Sequence, residues 1–154
     1  MANSFTQLYI HFVFAVGRRE STITESWRDE LYKYITGAIN NRGHHLMAIG
    51  GMPDHVHLLV SMSPKESVAS LVQSLKSQSS RWINEQRFFN CHFEWQTGYG
   101  AFSYTKSHTS QVINYIKNQK EHHRLKTFLE EYKHILDEMG FTSYETFVFH
   151  KIYC

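Results

Sequence analysis

Leu8, Ile10, Phe12, Phe14 and Val16 alternate with Tyr9, His11, Val13 and Ala15, the period-two pattern of a strand whose two faces are buried to different degrees. The period then lengthens. Trp27, Leu31, Tyr34, Ile35 and Ala38 recur at helical spacing behind Thr24 as an N-cap, up to Arg42 and Gly43. Residues 45–49 and 55–62 read as two strands joined by Gly50, Gly51, Met52, Pro53 and Asp54, a connection of hairpin length. Ser63-Pro64-Lys65-Glu66 has the form of a capping box with proline at the first helical position. A second helix is therefore expected from there to about Asn84, with Val68, Leu71, Val72, Leu75 and Trp82 turned inward. The stretch 85–106 is rich in loops, with a short strand at 101–104. A third helix is expected from about Ser110, carrying Val112, Tyr115, Ile116 and Gln119 on one face. Phe128, Tyr132, Ile135, Leu136 and Met139 extend the helical spacing to Gly140 beyond a bend near His122, and 141–154 form an aromatic-rich tail.

Strand, helix, strand, strand, helix, strand is the order of a ferredoxin-like or RNA-recognition-like α+β sandwich: an antiparallel sheet with helices on one face and the other face free for a ligand. The 154 residues contain no internal repeat or linker, so a single domain over 1–140, followed by the tail, is expected. With 42% hydrophobic and 15% aromatic residues the chain has the core material of a globular protein, which excludes a disordered tail. No leader pattern or spanning apolar run is present, which points to a cytoplasmic protein without membrane contact. Cys91 and Cys154 lie in no paired spacing and suggest neither a disulfide framework nor a zinc ribbon. A net charge of +2 permits an anionic partner, but a basic surface would have to come from local clustering. Arg18, Arg19, Lys65, Lys76, Arg81, Lys117, Lys120 and Arg124 are the candidates for phosphate contacts, and Trp82, Trp95 and Tyr99 for stacking on bases.

Eleven histidines make metal chemistry worth testing. Side chains two apart on a strand share a face, so His55 and His57 emerge together, about 6.6 Å apart along the strand, with Val56 behind them. Tyr115 and Gln119, at i and i+4 of the third helix, lie one above the other. Beside the two imidazoles, the Gln119 oxygen can complete a three-ligand face with open positions for phosphate oxygens, with the Tyr115 oxygen one turn away. Such mixed ligands suit Mg²⁺ or Mn²⁺ better than a closed zinc site. His11, on a strand expected to neighbour the His55–His57 strand, is the first candidate to support the ligands.

GMPDHVHLLVS (51–61), LKSQSSRWIN (75–84), EWQTGYGAFSY (94–104) and YIKNQKEHH (115–123) together resemble the single-tyrosine transposases of small insertion sequences, within the superfamily of nucleases named for a His-hydrophobic-His signature. That group includes the relatives associated with repetitive extragenic palindromes. The resemblance implies a ferredoxin-like core, a homodimer, Mg²⁺ or Mn²⁺ dependence, and recognition of single-stranded DNA hairpins near an element's ends. Carried over by residue, it makes His55, His57 and Gln119 the metal ligands and Tyr115 the nucleophile that forms a 5′-phosphotyrosine. No nucleotide cofactor is implied, in keeping with the absence of a phosphate-binding Gly-rich loop. The long 85–106 stretch would let the Tyr115 helix dock on a partner subunit, giving composite sites. One departure stands out: Ala15-Val16-Gly17-Arg18-Arg19 occupies the place where relatives often have Thr-Lys-x-Arg.

Rival readings are a non-catalytic single-stranded nucleic-acid-binding module of the RNA-recognition type and a related relaxase or replication nuclease. The first meets a poor match at 98–104, where the spacing is broken and Thr97 is not basic. Small size argues against the second. A histidine-triad hydrolase would need a histidine where Leu59 stands.

Overall fold

In the computed structural model, which describes residues 4–19, 22–88, 90–123 and 127–141, the first alternating run is β1 (Tyr9–Ala15) and the helical run after it is α1 (Glu25–Asn41). The hairpin is β2 (His45–Met52) with β3 (His55–Ser61), followed by α2 (Val68–Gln86) and β4 (Gly100–Tyr104). Three helices close the described chain: α3 (Thr109–Lys117), α4 (Gln119–His123) and α5 (Phe128–Glu138). The strands make one antiparallel sheet in the order β2-β3-β1-β4, the ferredoxin-like arrangement expected. Val13 pairs with His57 and Ala15 with His55 at its centre.

Strand alternation divides the sheet into two chemically different faces. Phe12, Phe14, Val56, Leu58 and Val60 pack with Trp27, Leu31 and Ile35 of α1 and Leu71 and Leu75 of α2. The opposite face is not left open, because the three C-terminal helices add a second layer there. α3 packs Val112 and Ile116 on Ala48 and Leu59, while α5 packs Phe128, Tyr132, Ile135 and Leu136 on Val13, Ala15 and Phe102. Between these two apolar patches lie the buried His11, His55 and His57.

Several local expectations change. β2 runs through both glycines to Met52, leaving a tight turn at Pro53 and Asp54. A Cβ on Gly50 would fall 2.2 Å from the Ile116 carbonyl oxygen, so the missing side chain lets α3 rest directly on the sheet. The Ser63–Glu66 box does not start α2. Ser67 is the N-cap, accepting from the Ser70 N–H at 3.0 Å, because Glu66 is drawn away to Arg42, His44 and Ser70. Cys91 is disulfide-bonded, against the absence of pairing inferred from spacing. Apart from Phe141, the tail lies outside the described residues. No helix among the described residues is long and apolar enough to cross a membrane.

Candidate metal and tyrosine site

His55 and His57 point from β3 into the seam between α3 and α5, and both are fully buried. Each imidazole is held from behind. His55 donates from Nδ1 to Asp54 Oδ1 at 2.7 Å, so the turn residue fixes its ring and leaves Nε2 facing inward. His57 Nδ1 meets His11 Nε2 at 2.9 Å, with the rings stacked 5.1 Å apart, so His11 supports His57 as its place on β1 suggested. His11 Nδ1 has no hydrogen-bond partner among the described residues.

Both inward nitrogens face a residue that the spacing argument passed over. Glu131 Oε1 lies 3.0 Å from His57 Nε2 and 3.3 Å from His55 Nε2. These three side chains offer ligand atoms within 4.8 Å of one another, and the 3.0 and 3.3 Å from the carboxylate oxygen to the two nitrogens are separations that one divalent ion with bonds of about 2.1 Å can span. Two imidazoles and a carboxylate, all turned to one point and buried, fit a divalent cation. The other carboxylate oxygen, Oε2, accepts from the Tyr115 hydroxyl and from Gln119 Nε2, the latter at 3.1 Å. A signal for Glu131 was present: it falls between Phe128 and Tyr132 on the stripe that buries α5, where a lone carboxylate has no packing role.

Tyr115 and Gln119 do converge, by a different route from the one expected. The helix breaks at Asn118 (φ −99°, ψ 26°), so the two residues belong to α3 and α4 instead of stacking on one helix. Gln119 turns its amide nitrogen to Glu131 and, at 3.4 Å, to the Tyr115 carbonyl, which aims its oxygen at His55 Nε2, 3.2 Å away. The Tyr115 and His57 rings are 5.6 Å apart within one chain. A cleft of about 270 Å³ opens on Tyr115, bounded by His11, Tyr104, Val112, Glu131 and Ile135.

Burial and nearby charge together set the titration of these groups. Burial pushes the His11 imidazole down to about 3, with His57 adding to the effect and Glu131 opposing it. Burial also works against a proton on His55, but the Asp54 and Glu131 carboxylates prevail and raise it to about 9. Burial, then the charge and hydrogen bond of Glu131, drive the Tyr115 phenol well above its ordinary value; the hydrogen bond with Gln119 opposes this. Positive charge is thus favoured on His55, beside the two carboxylates, and disfavoured on His11.

Among the basic candidates, Lys76 is engaged by the chain itself: its ammonium donates to the Gln96 carbonyl at 2.8 Å and to that of Gly98, and burial lowers it to about 8. Arg81 and Lys117 are exposed, as is Lys120, whose ammonium lies 3.7 Å from Glu25. Arg18 and Arg19 sit in the 3-10 turn after β1, and Arg124 lies outside the described residues. Trp95 is buried and donates to Ser79, Trp82 stacks on Tyr34, and Tyr99 remains exposed.

A family model described as "Transposase IS200 like" matches residues 4–119. The transposase for insertion sequence element IS200 of Salmonella typhimurium is 35% identical over 121 residues, covering 75% of this chain and 78% of that protein. A crystal structure from Deinococcus radiodurans R1 superposes with a TM-score of 0.64 at 23% identity, covering 77% of this chain and 95% of that one. A REP-associated tyrosine transposase bound to a REP hairpin gives a TM-score of 0.57 at 14% identity, covering 77% of this chain and 70% of that one.

Proposed function

Because the chain belongs to the IS200-like transposase family, we propose that it is a metal-dependent enzyme that cuts and rejoins single-stranded DNA through Tyr115. The observation that carries this reading is the meeting of the Tyr115 hydroxyl, His55 and His57 on one buried carboxylate. His55 and His57 would hold a divalent ion, Mg²⁺ or Mn²⁺, together with an oxygen ligand from the helices above. When bound, the ion supplies Lewis-acid charge that polarises the scissile phosphate and offsets the carboxylate charge that keeps the Tyr115 phenol protonated.

Tyr115 Oη attacks the phosphorus, the bond to the 3′ oxygen breaks, and the strand separates into a free 3′ hydroxyl and a 5′-phosphotyrosine. Another 3′ hydroxyl reverses the step by attacking the phosphotyrosine, and the phenolate leaves. One phosphodiester is exchanged for another, so no nucleotide cofactor is needed. Asp54 and His11 keep the two imidazoles turned toward Glu131, and the apolar patches on either side limit water in the seam. DNA hairpins are the proposed substrate, supported by the structural neighbour bound to a REP hairpin. The homodimer implied by the family resemblance would join two sites, each complete within its own chain. An RNA-recognition module would need an open sheet face, and α3 and α5 cover it here.

The test is incubation of hairpin-bearing single-stranded DNA with the protein and Mg²⁺ or Mn²⁺, followed by denaturing electrophoresis for a covalent adduct. An adduct is expected, lost on chelation and lost in Tyr115→Phe while hairpin binding persists. An adduct that survives Tyr115→Phe would transfer the nucleophile to Tyr104 or Tyr99.

A further inference from the structure

Spacing and the family resemblance both make Gln119, four residues after the tyrosine, the third metal ligand. The geometry points elsewhere: we propose that Glu131 of α5 is the oxygen ligand, and that through its second oxygen it also positions Tyr115. This rests on the metal-dependent reading of the site and names the residue that completes it.

Three observations separate the two candidates. Glu131 Oε1 reaches both imidazoles, at 3.0 Å from His57 Nε2 and 3.3 Å from His55 Nε2, so it closes a triangle of ligand atoms. Gln119 Oε1 contacts His55 alone, at 3.2 Å, while its amide nitrogen is committed to the Glu131 carboxylate and the Tyr115 carbonyl. The amide orientation follows from these contacts, because both groups that meet the nitrogen are acceptors. Gln119 therefore serves as a prop for Glu131.

Burial supplies the second argument. Glu131 is 2% exposed and the imidazoles are fully buried. A carboxylate already buried beside both imidazoles meets the charge of a divalent ion best by bonding to it directly, whereas the Gln119 amide brings no charge.

The third concerns α5. This helix lies beyond residue 119, where the family match ends, yet it seals the seam: Phe128 stacks on His55 at 4.2 Å and Tyr132, Ile135 and Leu136 pack on the sheet. If its carboxylate is a ligand, ion binding and docking of α5 are one equilibrium, and each strengthens the other by the same factor. The same docking brings Glu131 Oε2 to the Tyr115 hydroxyl. α5 thus belongs to the catalytic unit.

The experiment uses the full chain and Mn²⁺ alone, with no DNA. Mn²⁺ affinity is read by electron paramagnetic resonance and α5 amide protection by hydrogen exchange, for wild type, Glu131→Gln, Glu131→Asp, Gln119→Ala and His57→Ala. Glu131→Gln is expected to weaken Mn²⁺ binding by about ten-fold or more and to abolish the Mn²⁺-induced protection of α5. Glu131→Asp should recover part of both, which a purely packing role for the side chain does not predict. Gln119→Ala, which removes a support of the ligand and not the ligand, should cost less than Glu131→Gln, near the lower end of the roughly 10–100-fold range for such supports. Wild-type affinity in Glu131→Gln together with lost affinity in Gln119→Ala overturns the proposal and restores Gln119 as ligand. Wild-type affinity in His57→Ala removes the metal reading of the whole seam and this inference with it.

Discussion

β3 shows two kinds of design on one strand. Val56, Leu58 and Val60 point into a continuous apolar core against α1 and α2, while His55 and His57, their neighbours in sequence, point into a polar seam flanked by two smaller patches. The first face is held by many interchangeable contacts, each small. The second depends on a few directed ones converging on Glu131. A core of the first kind tolerates exchange of one apolar residue for another of similar volume. A seam of the second kind tolerates almost no exchange, because each polar atom left without its partner costs the full desolvation of that group.

Adjacent residues give the sharpest way to break this comparison. Leu58 is fully buried in the larger core, so Leu58→Ala should cost about 2–5 kcal/mol of stability and leave the Mn²⁺ affinity of the folded protein unchanged. His57→Ala should do the reverse, abolishing both the adduct and tight Mn²⁺ binding at a smaller stability cost of about 1–3 kcal/mol. Urea unfolding and Mn²⁺ titration on the same samples measure both. The two faces are not separable if Leu58→Ala weakens Mn²⁺ binding as much as His57→Ala does.

A smaller effect is expected where the sheet and α3 touch. A Cβ at position 50 would meet the Ile116 carbonyl oxygen at 2.2 Å, so in Gly50→Ala the helix has to shift, carrying the adjacent Tyr115 with it. Overpacking of this kind costs about 1–3 kcal/mol, and a displacement near 1 Å can slow adduct formation up to about 100-fold. Mn²⁺ affinity should change less, since His55, His57 and Glu131 are not on α3. Single-turnover cleavage at the wild-type rate would show that the seat of α3 on Gly50 does not set the position of the nucleophile.

The apolar face was far more legible in the sequence than the seam. Period-two alternation named β1 and β3 and put His55 and His57 on one side, and helical spacing named Trp27, Leu31 and Ile35 of α1 and Leu71, Val72 and Leu75 of α2, though not the buried Ile39 and Ile83, because these patterns are local. What the chain does across long separations was not legible. Glu66 leaves its capping box for His44, 22 residues away, and α2 starts four residues late as a result. The stop at Asn118, which divides Tyr115 from Gln119 between two helices, has neither glycine nor proline to announce it. Glu131 could be noticed as a carboxylate on an apolar stripe, but its partner His57 lies 74 residues earlier, and nothing in spacing alone joins them.

The smallest expected effect is none at all, and it decides how subunits share the site. The long stretch before α3 had suggested that the Tyr115 helix would dock on a partner, making composite sites. In the structure α3 is seated on its own sheet, with Ile116 against Gly50 and Tyr115 beside His57 of the same chain. Tyr115→Phe and His57→Ala are each expected to be inactive, and mixing them distinguishes the two arrangements. When each chain builds its own site, every site in a mixed dimer keeps one lesion, and no adduct forms. When helices are exchanged, a mixed dimer collects both lesions in one site and leaves the other intact, returning roughly a quarter of the wild-type adduct on random pairing. Differently tagged chains recovered together establish that mixed dimers were present. No recovery is expected if the seat of α3 on Gly50 and of Tyr115 beside His57, made within the single chain, is kept when two chains meet. Recovery near the random-pairing value would mean that α3 leaves its seat on Gly50 when two chains meet.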